Sequence, residues 1–538
     1  MQSSAISIAY QKTGFFSSMV LDYISKEPSL KPFYTHHMSI DSALAAISER
    51  QAFATNRQLL VNVLQAQYAG VTLNSLQQQH LQALASENCF TVCTAHQPNL
   101  FTGHLYFVYK ILHAIKLAEE FKQQLPQYDF VPVYYMGSED ADLEELNHIT
   151  INGQRYQWNT KQTGAVGRML IDDSLVAVIQ QMAGQLLVMP HGQAVIDLLM
   201  QSYIPGLTIS EATFTMVNQL FAEFGLLILQ PDQPALKKAF APVMQRELLE
   251  QFSHPVVQQT AATLPIQYKV QAAGRPLNLF YLHQQMRERI EKIGDAWQVV
   301  NTQISFTRLE LLRELEQHPE RFSPNVILRP VLQETLLPNI AFIGGGGEIA
   351  YWLELKNVFA AAGVPYPMLL LRNSFMLTNS QQREQAERLQ FNPGDLFYSA
   401  ATLTDILVKR EAALQLELSH EKEQLTQLYQ QIKNIAGKID PTLVQHTEAL
   451  QVKALKKIIV LEKKMLKAER LKFGVQQSQV HKLKAALFPG NNLQERVENY
   501  LGYAAQWGPS LMQQLYQHSQ AMAALFTVVN LQEDEVIE

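Results

Sequence analysis

Cysteine is nearly missing from this chain: Cys89 and Cys93 are its two thiols in 538 residues. So few exclude a disulfide-stapled scaffold and a Cys-rich zinc or iron–sulfur module, and they suit a reducing compartment. Charge is also sparse, at 17% Asp, Glu, Lys and Arg against the usual quarter. Lys+Arg 43 against Asp+Glu 49 leaves −6, too mild for a chain committed as a whole to nucleic acid or an anionic membrane. No run of 18 uninterrupted apolar residues occurs, so no membrane-spanning helix is expected. The opening MQSSAISIAYQKTGFFSSMV lacks a basic stretch ahead of an apolar one, so no signal peptide is expected, and the expected location is cytoplasmic. Apolar residues, by contrast, make up 47% of the chain, enough for a sizeable core and incompatible with global disorder. At roughly 150 residues per domain, about three or four structural units are expected.

The texture changes along the chain. Residues 1–88 read as helical, with Leu59, Leu60, Val63 and Leu64 at three- and four-residue steps. At residue 89 a strand-like run, CFTVCTA, is followed by the loop HQPNLFTG, a helical stretch LYFVYKILHAIKLAEEF and a second strand, FVPVYYM. That spacing makes a βαβ unit with parallel strands. Further strands are expected at GLLILQP (225–231), NVILRP (325–330), AFIGG (341–345) and PMLLLR (367–372). Residues 89–375 therefore read as an open, mostly parallel α/β sheet with insertions at about 150–215 and 240–320. After about residue 376 the strands are expected to stop. Leu414, Leu418, Leu425, Leu428, Ile432 and Ile435 form a coiled-coil-like series, and Ala454, Ile458, Leu461, Met465 and Ala468 form a second stripe. Between them Gly437 reads as a helix stop, Asp440 as an N-cap and Pro441 as a first helical residue. Residues 376–490 thus read as an antiparallel helical arm, and 491–538 as a helical tail with a frayed acidic end.

In an open α/β sheet, ligands bind beyond the carboxyl ends of the strands. Three segments qualify. The first is His96 to His104, between a strand and a helix N-terminus, where His96, Gln97, Asn99, Thr102, Gly103 and His104 are candidates for holding a phosphate or carboxylate. Its Gly103 and His104 resemble the second half of the His-x-Gly-His signature of nucleotidylyl transferases and class I aminoacyl-tRNA synthetases, with Phe101 where the first His would stand. The bland alternative is a helix cap and a tight turn. The second segment, Ser138 to His148, has five carboxylates in seven residues (139–145), suited to an ammonium group, a proton or Mg²⁺. Asp140, Asp142 and His148 are its candidates; the alternative is an acidic first turn of a solvated helix. The third is Gly344, Gly345, Gly346 and Gly347 with Glu348, which allows close backbone approach to a ligand but lacks the Lys-Ser/Thr pair of a P-loop.

Other features read as structural. Cys89 and Cys93 share a strand face and read as small buried hydrophobes, Trp352 as core and His113 as packed. The run 453–472 carries eight Lys/Arg against Glu462 and Glu469, usually a solvated coiled-coil face. Its other reading is a non-enzymatic coiled-coil dimer that binds nucleic acid or an acidic protein.

The segments HQPNLFTGHLYFVYK (96–110), SEDADLEELNH (138–148), GLLILQPDQPALKK (225–238), 322–356 and LFPGNNLQERVENYL (487–501) together resemble the bacillithiol biosynthesis cysteine-adding enzymes, the BshC family. The resemblance implies a Rossmann-like core with connecting-peptide insertions, a coiled-coil arm that makes a homodimer, and a ligase. Its reaction would join the carboxyl group of cysteine to the amine of glucosaminyl-malate through an amide bond. Three positions depart from the family pattern: Ala141 replaces a His, His104 a Pro and Gly346 a Pro.

Amide formation requires an activated carboxyl group, and the synthetase analogy suggests an adenylate made from ATP or another nucleotide with Mg²⁺. On this reading His96, Gln97, Asn99, Thr102, Gly103 and His104 hold the activated group. Glu139, Asp140 and Asp142 anchor an ammonium or accept a proton, with His104 or His148 as a further base. Gly344, Gly345, Gly347 and Glu348 close over the substrate, and Arg329 or Arg372 pairs with the malate carboxylates. No protein-bound metal, nucleic acid or membrane partner is expected. The enzymatic alternative is a nucleotidylyl transferase using the Gly-His pair.

Overall fold

The computed structural model describes residues 4–412 and 416–532, so Leu414 and the acidic end 533–538 lie outside the described residues. Two compact units are present, one formed by residues 1–377 with 492–538, the other by 378–491.

The first unit is built on five parallel strands: β1 (Cys89–His96), β2 (Asp129–Met136), β3 (Leu227–Leu229), β4 (Asn339–Gly344) and β5 (Met368–Leu371). Their spatial order is β3-β2-β1-β4-β5. The pairing registers run Cys89 with Asp129 to His96 with Met136, Val133 with Leu227, Phe342 with Cys93 and Ala341 with Met368. This is the strand order of a Rossmann-like fold, and the chain reverses direction across the sheet between β1 and β4. These strands are buried on both faces, which is why they read as continuous apolar runs rather than alternating ones. One face packs Phe90, Val92, Ile343 and Leu370 against Ala43, Ile47, Ala114 and Phe121. Trp352 is fully buried, stacked on Phe342 at 4.1 Å between ring centroids. Both cysteines are buried free thiols; burial pushes Cys89 up to about 12 and Cys93 well above its ordinary value.

Four expectations are corrected. NVILRP is not a strand: the strand ends at Pro324, the Asn325 side chain accepts the Ile327 N–H at 2.9 Å, and a helix starts at Arg329 with Pro330 in its first turn. Ile327 and Leu328 are apolar because they are buried, and burial alone does not distinguish a strand from a turn into a helix. Strands also occur outside 89–375: Ser4–Ala9 pairs antiparallel with Leu525–Asn530, which shares a three-stranded sheet with Ser374–Thr378. The insertion after β3 carries a five-stranded antiparallel sheet, ordered 305–307, 296–299, 286–293, 279–283 and 322–324. In its strand MRERIEKI five of eight residues are charged and all but Ile290 are half-exposed or exposed, so no apolar run marks it. In the second unit, the helices Ser419–Ile439 and Leu443–Arg470 form the hairpin, but Gly437 lies inside the first of them. Asp440 and Pro441 form the turn, where Asp440 Oδ1 accepts the Thr442 N–H at 2.8 Å.

Within the hairpin, Lys422 pairs with Glu462 at 2.8 Å and Lys433 with Glu448 at 2.5 Å. A Cβ on Gly437 would meet Val444 at 3.0 Å, so the glycine accommodates the close return of the chain. Leu428, Ile432, Ile435 and Ile439 remain exposed on the first helix. Among the described residues no helix is long and apolar enough to cross a membrane.

Candidate functional site

A cleft of about 790 Å³ opens at the carboxyl ends of β1, β2 and β4, where the strand order reverses. Nine of the sequence candidates line it: His96, Gln97, Glu139, Asp140, Gly345, Gly347, Glu348, Arg329 and Arg372. The insertion after β3 adds Arg275, Phe280 and Arg287, and the tail adds Arg496.

Its floor is fixed by a buried cation. Lys110, on the helix Tyr106–Gln124, donates to Ala95 O at 2.5 Å and to Glu348 Oε2 at 2.7 Å. The same Glu348 oxygen accepts the Gly345 N–H at 2.8 Å, so the glycine turn after β4 is held by its own helix. A Cβ on Gly347 would meet nothing within 4 Å, and this turn opens into the cleft at a helix N-terminus.

Arginines dominate one part of the lining. Arg372 donates to Glu495 Oε1 at 2.8 Å and to Ser374 Oγ at 3.1 Å, and lies 5.0 Å from the Tyr106 ring. Arg329 donates to Tyr351 OH at 3.2 Å and to Gln333 Oε1 at 3.2 Å. Burial opposes the charge on both, yet both stand above their ordinary value, Arg372 through the Glu495 carboxylate and Arg329 through its contact with the Tyr351 hydroxyl. Beside them, burial holds His96 well below its ordinary value, and Lys110, His104, Arg372 and Arg329 push it the same way. His96 is therefore neutral at pH 7, and its Nε2 is buried without a hydrogen-bond partner.

The carboxylates differ in their partners. Glu139 is paired with the fully buried Lys237, which also donates to Phe322 O at 2.9 Å, and Glu348 is paired with Lys110. Asp140 has only neutral donors, Gln97 Nε2 at 3.2 Å and the Asp142 N–H at 3.1 Å. Glu145 also lines the cleft without an ion-pair partner. Burial, then Asp140 and Asp142, raises its carboxyl above the ordinary value.

The remaining candidates lie outside this lining. Asn99, Thr102 and Gly103 belong to a buried turn in which Phe101, Thr102 and Gly103 all have positive φ. That turn is covered: the Phe101 N–H donates to Tyr203 OH at 2.8 Å, and Asn499 donates to Phe101 O at 2.9 Å and to Gly103 O. Thr102 does not cap the following helix. His104 bridges to Asn499 as an isolated β-pair; burial and the nearby His148 lower its affinity for a proton. His148 starts a short hairpin, and its Nδ1 lies 3.3 Å from Asn147 Oδ1. Asp142 caps a short helix by accepting the Glu145 N–H at 3.3 Å. Gly344 is buried in β4, where a Cβ would strike Phe342 at 2.9 Å. Sequence reading missed Lys110, Arg275, Arg287 and Arg496. Lys110 is the one charge in the apolar first half of its helix; Arg275 and Arg287 come from segments with no strand or motif signal, while Arg496 lies in the family-like segment 487–501.

Among the described residues, no group of three or more His, Cys, Asp or Glu side chains is arranged to hold a metal ion.

Two family descriptions match the chain: "Bacillithiol biosynthesis BshC, N-terminal Rossmann-like domain" over residues 1–373, and "Bacillithiol biosynthesis BshC, C-terminal coiled-coil domain" over 375–531. A Flavobacterium johnsoniae protein named "Putative cysteine ligase BshC" is 38% identical, covering 97% of this chain and 99% of its own. Proteins of the same name from Flavobacterium psychrophilum and Cytophaga hutchinsonii are 38% and 36% identical, covering 97% and 95% of this chain and 98% and 96% of their own. A solved Campylobacter jejuni structure described as a "putative arginyl t-RNA synthetase" aligns with 9% identity and a TM-score of 0.22, over 83% of this chain and 99% of that one; this likeness carries no argument. The family descriptions and the near full-length relatives agree with the strand order and the helical hairpin: the chain belongs to the bacillithiol biosynthesis BshC family.

Proposed function

We propose that this chain is a cysteine ligase that joins the carboxyl group of cysteine to the amine of glucosaminyl-malate, in the cleft where the strand order reverses. Support comes from family membership and from the relatives' name. The observation that carries the reading is the arginine-rich part of the cleft, where Arg329 and Arg372 lie beside a glycine turn at a helix N-terminus. Two guanidinium groups already oriented by Tyr351 and Glu495 suit the two carboxylates of a malyl group.

The activating nucleotide, ATP on this reading, needs backbone N–H groups for its phosphates. The turn 99–103 is a poor fit, because its residues are buried and its Asn99, Phe101 and Gly103 N–H groups are taken, by Gln97 O, Tyr203 OH and Leu100 O respectively. The turn 345–347 fits better: Gly345 is committed to Glu348, while Gly346 and Gly347 begin the helix at the cleft. The nucleotide would supply a leaving group on the cysteine carboxyl carbon. When the acceptor nitrogen bonds to that carbon, the C–O bond to the leaving group breaks and one proton leaves nitrogen. Burial and the surrounding cations disfavour a proton on His96, so Glu145, a cleft carboxylate raised above its ordinary value, is better suited to take that proton. Exposed Leu428, Ile432, Ile435 and Ile439 on the arm suit a second copy of the chain, making a homodimer.

The test is thiol profiling by mass spectrometry in source cells with the gene deleted and restored. Loss of bacillithiol with build-up of glucosaminyl-malate, reversed on restoration, is expected. Unchanged thiols without accumulation of the acceptor would contradict the reading.

A further inference from the structure

Resting on the ligase reading, a second part of the same cleft has a different charge pattern from the arginine-rich one. Arg287, on the strand Met286–Ile293, lines it. Its guanidinium lies 4.0 Å from the centre of the Phe280 ring, its Nε donates to Ser323 Oγ at 3.1 Å and its Nη2 to Pro324 O at 3.3 Å. These contacts fix the plane of the group and leave Nη1 without a protein partner.

Asp140 acts electrostatically on Arg287, yet the two form no ion pair. Glu139 also acts on Arg287 but is already neutralised by Lys237. An uncompensated carboxylate and an oriented guanidinium thus line one cleft, within reach of each other's field but not in contact. Two such groups attract, and with no contact between them a molecule that carries both charges can stand between them and satisfy each. Apolar atoms of Phe280, Pro324 and Val326 line the cleft with them.

We propose that Asp140 and Arg287, with the apolar lining of Phe280, Pro324 and Val326, form a subsite for a zwitterionic α-amino acid. Asp140 takes the ammonium group, Arg287 takes the carboxylate, and the apolar lining receives a small side chain. Holding the ammonium protonated on Asp140 has a chemical use: the amino acid's own nitrogen cannot then compete with the acceptor amine for the activated carboxyl group. Charge thereby divides the cleft, with a zwitterion near Asp140 and Arg287 and a dianion near Arg329 and Arg372.

Calorimetric titration of the full-length protein, without acceptor, tests this with three probes: L-cysteine, cysteamine (no carboxylate) and 3-mercaptopropionate (no ammonium). L-Cysteine is expected to bind on the order of tenfold or more tightly than either analogue. Arg287→Met should bring L-cysteine down to the level of cysteamine while leaving cysteamine unchanged. Asp140→Asn should do the same with respect to 3-mercaptopropionate, and Arg287→Lys should retain part of the discrimination. Equal weakening of all three probes by both variants would mean a structural role and overturn the subsite; so would unchanged L-cysteine affinity in both, even with ligase activity intact. If L-cysteine fails to bind but L-serine binds with the same dependence on Asp140 and Arg287, the subsite stands and the cysteine reading fails. If neither amino acid binds, the subsite is overturned.

Discussion

Lys110 Nζ lies 2.7 Å from Glu348 Oε2 and 2.5 Å from Ala95 O, so one buried cation joins the end of β1 to the helix that follows β4. These are the two strands between which the sheet order reverses. Desolvation lowers Lys110 below its ordinary value, and Glu348 offsets part of that. Lys110→Met should leave Glu348 without its cation and release the glycine turn. We expect turnover to fall on the order of a hundredfold, as small displacements of positioning groups do. We expect destabilisation of about 3 kcal/mol, because one partner of a largely buried pair is left alone. Chemical denaturation and steady-state kinetics on the variant check both. A variant with the turnover of the parent would remove Lys110 from the account.

Asp140→Asn and Thr102→Ala separate two loops that sequence alone makes equally attractive. Asp140 lines the cleft without a cation; Thr102 is buried in the turn covered by Asn499, and its hydroxyl has no partner. Asp140→Asn is expected to lower kcat/KM on the order of a hundredfold. Thr102→Ala should change it by no more than about threefold, because an unpartnered buried hydroxyl contributes little. The reverse ranking would return the nucleotide phosphates to the loop after β1.

His113 gives a pH prediction. Its Nδ1 accepts the Asn373 N–H at 3.2 Å, so its Nε2 carries the proton toward Ala521 O at 2.9 Å, and the ring is neutral. Burial lowers it from 6.5 to about 4. Below the unfolded value the unfolded chain binds the proton first, so folding stability falls as pH drops from about 6.5 to about 4. The loss from this group is as much as about 3 kcal/mol. Denaturation at a series of pH values should show that slope, and His113→Gln should flatten it. An equal slope in the variant would assign the proton elsewhere.

The exposed series on the arm predicts assembly. The double substitution Ile432→Asp, Ile435→Asp should convert a dimer to a monomer in light scattering without changing the helical content. A parent protein that is monomeric at micromolar concentration would contradict the dimer.

The legibility of this molecule follows how local each signal is. The strand–loop–helix–strand from Cys89 to Met136 was readable because continuous apolar runs, a loop and a helical period lie within about fifty residues of sequence. Ser4–Ala9 was not, since its strand partner is at the other end of the chain, with Ser4 opposite Asn530. Likewise the rule that ligands bind beyond strand ends selected His96, Asp140 and Glu348, while Thr102, six residues after His96 in the same loop, is turned inward. What turns it inward is Asn499, nearly four hundred residues away and invisible to any reading of the loop itself. Arg287 escaped notice because its strand alternates charges on a half-exposed sheet and has no apolar face to mark it.

The central claim is that the cleft between β1 and β4 joins cysteine to glucosaminyl-malate. The most direct measurement is mass-spectrometric detection of the amide product from purified protein, cysteine, glucosaminyl-malate and ATP, with Arg329→Met in parallel. The account predicts product from the parent, and for Arg329→Met an acceptor KM raised on the order of tenfold or more. No product from the parent, or product formed with an unchanged KM in the variant, would contradict it.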